Sequence, residues 1–182
     1  MAGFVIALVV LLWSLETQAE VPVPPLSARG HDGVVILVCN EDPTRAPVYL
    51  AALPWDDQVV RWAIQRAEYV RELDYQTLLR EPGERYHLLK GLVEAKYRLE
   101  LARIALMAHQ TDEVMAHWKE ARQAAERVAW KGVRRLLGKE ATLELASALA
   151  RYEKGDPCGL VAARDRIEAA YGELSTLIEA GK

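Results

Sequence analysis

Four histidines and two cysteines are the residues of this sequence best suited to metal or redox chemistry. His109 and His117 flank the short polar stretch at Thr111, with Asp112 and Glu113 beside it. Two imidazoles and a carboxylate brought together there would bind a divalent metal; held apart, they are solvated or hydrogen-bonded side chains. His31, next to Asp32, is the weaker candidate. Cys39 closes an apolar run, "GVVILVCNEDP", and Cys158 opens the last predicted helix. In an oxidising compartment one bridge between them would staple the N-terminal segment to the helical body. Closing so long a loop restricts the unfolded chain by roughly 4 to 5 kcal/mol on the chain-entropy argument. The alternative is two unpaired thiols.

Binding surfaces are a second class of candidate. Arg127, Lys131, Arg134, Arg135 and Lys139 recur at spacings near three and four in "ERVAWKGVRRLLGKE", beside Trp130. This pattern presents a cationic face to an anionic partner, either phospholipid headgroups or an acidic protein patch. It is equally the pattern of a solvated face balanced by Glu126 and Glu140. Trp118 joins Trp130 and the basic cluster as a candidate partner contact. Trp62 and Tyr69, one heptad apart, line a groove or pack in a bundle.

Catalytic motifs are missing. The chain has no GxSxG, HExxH, P-loop, GxGxxG, CxxC or CxxCH pattern, which removes the usual physical basis for serine hydrolase, zinc protease, nucleotide-binding and haem chemistry. No enzyme activity and no cofactor is expected. A formal charge of -3 with both signs interspersed creates no field that would draw the chain onto nucleic acid.

These residues need elements to position them. A chain of 182 residues, 51% hydrophobic and 27% charged, builds one domain with a core. The apolar run from Phe4 to Leu15 is shorter than the about 20 residues that span a bilayer, so residues 1–19 read as a secretory signal peptide cut before Glu20. An uncleaved membrane anchor is the alternative. Residues 20–33, rich in proline and glycine, read as a tether. Residues 34–182 then form a single domain. Val34 to Val38 reads as a strand, paired with the short "PVYLAAL" at 47–53.

From Asp56 onward the apolar period is helical. The first helix carries Val59, Val60, Ala63, Ile64, Ala67, Val70 and Leu73 and stops at "EPGER". The second runs to about Gln110 with Leu88, Leu92, Ala95, Leu99, Ala102 and Leu106 inward. The third opens at Thr111 or Asp112 and buries Val114, Trp118, Ala121, Ala125 and Val128. Gly132 and Gly138 weaken its far end. The fourth starts near Glu140 and shows Leu145, Ala146, Leu149 and Tyr152; the last covers Cys158 to Ala180. The predicted fold is mainly α: an antiparallel bundle or stacked hairpins of about five helices with a short extended N-terminal segment.

Residues 100–124 ("ELARIALMAHQTDEVMAHWKEARQA") and 144–170 ("ELASALARYEKGDPCGLVAARDRIEAA") echo one another as helix, polar turn and helix. They resemble tetratricopeptide-like helical hairpins, although the first copy lacks the turn glycine. The order of leader, "VYLAALPWDDQVVRWAIQRAEYV", "LARIAL" and "ALARYEKGD" is similar to the YfdX family of periplasmic helical proteins. That resemblance covers about residues 47 to 175 and implies an all-helical, stress-associated protein with chaperone-like or ligand-binding behaviour and no established catalytic site. The leading expectation is a non-enzymatic exported scaffold whose helix faces bind another exported or membrane protein, with association at a membrane surface through the basic cluster. The alternative is a periplasmic small-molecule or metal-binding module with its pocket near His109, His117 or Trp62.

Overall fold

The computed structural model describes residues 34–37, 48–51, 55–79, 81, 83–126, 131–156 and 158–180; for 34–37, 48–51, Lys131 and Arg134 it describes the backbone alone. The expected leader and tether, His31, Cys39, Arg127, Val128 and Trp130 lie outside the described residues. Strands β1 (Val34–Leu37) and β2 (Val48–Ala51) pair antiparallel, with Val34 opposite Ala51 and Leu37 opposite Val48.

The body is helical. Helix α1 (Asp57–Leu78) starts at Asp56, whose Oδ1 accepts from the amides of Gln58 and Val59 at 3.0 and 2.9 Å, satisfying two of the donors that a helix start leaves open. Helix α2 (Gly83–Met107) and helix α3 (Thr111–Glu126) follow. The stretch read as the far end of the third helix is a separate seven-residue helix, α4 (Lys131–Leu137). Gly138 separates it from α5 (Lys139–Glu153), and α6 (Cys158–Ala180) completes the chain.

Helix α2 is the axis of the molecule. Helices α1, α3 and α6 pack around it, α5 packs on α6, and α4 sits between α3 and α5. A helix enclosed this way cannot keep a single apolar stripe. Its buried set accordingly runs beyond the expected Leu92, Ala95, Leu99, Ala102 and Leu106 to Leu89, Val93, Tyr97, Leu101, Ile104 and Ala105. Two expected core positions are exposed: Leu88 at the start of α2 and Leu73 on α1. Helix α1 buries fully only Ala67 and Leu78, because it meets the body along one narrow edge.

Two turns are built alike. At the end of α2 the amide of His109 donates to Leu106 O at 3.0 Å and that of Gln110 to Ala105 O at 2.9 Å. At the end of α5 the amide of Gly155 donates to Tyr152 O at 2.9 Å and that of Asp156 to Arg151 O at 3.0 Å. Both are Schellman closures, which place one residue in the left-handed region. Gly155 occupies it with φ 90° and His109 with φ 58°. The two echoing segments therefore share a turn geometry even though one of them lacks the glycine.

Candidate functional site

Taken first, the residues singled out from sequence fall into different places. Trp118 is fully buried, and its Nε1 donates to Thr142 Oγ1 at 3.0 Å. It is a core residue tying α3 to α5, which corrects its assignment as a partner contact: no partner reaches a side chain with no exposed surface. His109 faces Tyr152, with Nδ1 2.7 Å from the phenol oxygen and the rings edge-on. His117 Nδ1 instead lies 3.4 Å from Glu120 Oε2 on its own helix. Each imidazole thus has its own contact, and no group of three or more metal-ligating side chains occurs among the described residues. Burial holds His109 below the usual histidine pKa, the direction of a neutral ring. Arg135 is exposed on α4.

The groove expected beside Trp62 and Tyr69 is not where those residues point, since both are exposed on the outer side of α1. The cleft lies on the other edge of that helix. It measures about 190 Å³ and is bounded by α1, α2 and α6. Helix α1 supplies Arg66, Arg71 and Asp74, α2 supplies Lys96, Tyr97, Glu100 and Arg103, and α6 supplies Tyr171. Four cationic side chains thus meet two carboxylates.

The pairing inside the cleft is uneven. Lys96 Nζ binds Asp74 Oδ2 at 2.8 Å with both side chains well covered, and Arg103 binds Glu100 at 2.6 Å. Arg71 is compensated much less. Its Nη1 is 3.9 Å from Glu94 Oε2, but that carboxylate already accepts from Tyr75 Oη at 2.8 Å and from Arg98 Nε at 3.1 Å. The Arg71 guanidinium lies over the Tyr97 ring, and its buried Nε has no acceptor among the described residues. Arg66 has no ion-pair partner among them either.

No protein family, curated protein or solved structure matches the chain. The chemistry of the cleft therefore rests on its own geometry. Burial raises the pKa of Tyr97 and of Tyr171 above the ordinary phenol value, so both keep their protons at neutral pH. Two phenols and two under-compensated guanidiniums offer donors and no nucleophile. Such a set holds an anion: the guanidinium fork matches a carboxylate or phosphate bidentately, and the tyrosine rings give the remainder of a ligand apolar surface.

None of the cleft residues was singled out from sequence. A signal was present: Lys96, Glu100 and Arg103 share one face of α2, set among buried positions and opposite Arg66 and Asp74 of α1. Charges interrupting a buried helix mark either a paired seam or a site. Which of the two applies depends on the packing of α1 and α6, and that is not encoded in either helix alone.

Proposed function

We propose that the protein is a non-enzymatic binding module for a small carboxylate seated between α1, α2 and α6. The supporting observation is Arg71, a guanidinium stacked on Tyr97 with a buried donor lacking an acceptor among the described residues and a carboxylate partner already shared with Tyr75 and Arg98. A ligand carboxylate would pair with the exposed part of the Arg71 guanidinium, whose side chain keeps 30% of its surface open, and neutralise Arg66 as well. An aromatic carboxylate would add contact with Tyr97 and Tyr171. Thermal melting of the full chain in benzoate, inorganic phosphate or chloride at equal ionic strength tests this. Benzoate should raise the midpoint in proportion to the logarithm of its concentration, and Arg66→Gln should reduce the rise. Equal midpoints in benzoate and chloride would refute it.

The setting belongs to the same proposal. An exported protein with a Cys39–Cys158 bridge would hold its N-terminal segment on the body without reliance on that segment's own core. There is no free thiol among the described residues, and no described helix is long and apolar enough to cross a membrane. Intact mass before and after reduction and alkylation tests the bridge: thiols that react only after reduction support it, and thiols that react without reduction refute it.

A further inference from the structure

Tyr75 stands one turn beyond Arg71 on α1, half-buried, and its hydroxyl donates to Glu94 Oε2 at 2.8 Å. That oxygen is the one that lies 3.9 Å from Arg71 Nη1, about 1 Å beyond a hydrogen bond. The other oxygen, Oε1, accepts from Arg98 Nε at 3.1 Å, and Arg98 Nη1 in turn pairs with Glu120 Oε2 on α3 at 2.8 Å. Glu94 is thus tied from two sides, by α1 and by its own helix. A carboxylate oxygen accepts two bonds, so what withholds Oε2 from Arg71 is its position rather than its capacity. The phenol is a lasting donor: burial, and after it the hydrogen bond to Glu94, push its pKa well above the ordinary tyrosine value, so it keeps its proton at neutral pH.

We propose that Tyr75 is a positioning residue of the carboxylate site: its hydroxyl holds Glu94 away from Arg71 and so keeps the guanidinium available to a ligand anion. This role rests on the carboxylate reading of the cleft. Arg71 lines that cleft and Tyr75 does not, so Tyr75 acts through Glu94 rather than by touching the ligand. Replacing the phenol by a phenyl ring changes no charge and little volume. Glu94 Oε2 then loses its anchor and closes on Arg71, and an internal carboxylate occupies the donors that a ligand would use. The effect exists only while Glu94 is a carboxylate, because a neutral side chain there has no charge to bring to Arg71.

Calorimetric titration of the full chain with benzoate tests it. Tyr75→Phe should weaken binding by about fivefold, the effect of one partly exposed ion pair. Glu94→Gln should strengthen binding, and in that background Tyr75→Phe should change nothing. Urea unfolding supplies a measurement that needs no ligand: the coupling between Arg71→Gln and Glu94→Gln should be close to nil with Tyr75 in place and about fivefold in the unfolding equilibrium constant with Tyr75→Phe. Benzoate bound equally by wild type and Tyr75→Phe would overturn the role of Tyr75 and leave the carboxylate site standing. Equal losses with and without Glu94→Gln would also overturn it, since the hydroxyl would then act on the ligand or on the fold directly. So would an Arg71–Glu94 coupling untouched by Tyr75→Phe, whether or not benzoate binds. No benzoate binding by the wild type would refute the carboxylate site itself, and the role of Tyr75 with it.

Discussion

The Cζ of Arg71 sits 4.1 Å from the centre of the Tyr97 ring. The contact holds the guanidinium at the cleft wall without consuming its hydrogen-bond donors, since a π face is not an acceptor in the plane of the fork. Tyr97→Phe keeps the ring and should leave benzoate affinity within a few-fold of wild type. Tyr97→Leu removes the quadrupole and should weaken benzoate binding clearly while costing about 0.5 to 2 kcal/mol of stability. Calorimetric titration and urea unfolding of the two variants separate these effects.

Trp118 Nε1 donates to Thr142 Oγ1, which in turn donates to the carbonyl of Gly138 at 2.9 Å. The indole thus secures the start of α5 at the glycine that ends α4. Trp118→Ala should cost about 3 to 5 kcal/mol by urea denaturation. Trp118→Phe should cost less, because most of the apolar volume remains. Neither should change benzoate affinity in the folded protein; a loss of affinity would instead mark Trp118 as a ligand contact.

His109 gives a defined pH dependence. Burial lowers its pKa in the folded state, so the unfolded chain binds the proton more readily once pH falls below about 6.5. Its contribution to stability is therefore fully present above that value, is lost as pH falls through the window down to the lowered folded pKa, and changes no further below it. His109→Asn tolerates the φ of 58° at this turn because Asn accepts the left-handed region. Melting temperatures at pH 7.5 and 5.5 should fall less in this variant than in wild type.

Two glycines of α6 should respond in opposite directions to alanine. A Cβ on Gly159 would lie 2.5 Å from the Tyr152 amide nitrogen and also strike the Ala148 carbonyl. Backbone on both sides cannot yield cheaply, so Gly159→Ala should force α5 and α6 apart at a cost of about 1 to 3 kcal/mol. A Cβ on Gly172 meets nothing within 4 Å, and Gly172→Ala should stabilise by about 0.5 to 1 kcal/mol. Thermal unfolding of both variants checks the pair.

Helix positions were legible in the sequence wherever caps and breakers were local. Asp56 caps the start of α1 and Asp156 accepts from the Cys158 amide at the start of α6, and neither contact needs a distant partner. Burial was legible on α3, whose single stripe of Val114, Trp118, Ala121 and Ala125 is all buried and leaves the opposite face to solvent. It was less so on α2, where three neighbours erase the stripe, and on α1, where Leu73 has the period of a core residue without a helix to cover it. The cleft was missed because its charge balance arises between helices: Arg71 looks paired with Glu94 until Tyr75 and Arg98 are seen to share that carboxylate. Trp118 showed both roles in its pattern, and only packing decided between them.

The most direct test of the carboxylate site is a benzoate titration of the full chain followed by backbone amide chemical shifts. Saturable shifts centred on Arg66, Arg71, Lys96 and Tyr97, abolished in Arg66→Gln/Arg71→Gln, are the expected result. Saturable shifts that leave those residues unmoved, or binding unaffected by the double substitution, would contradict it.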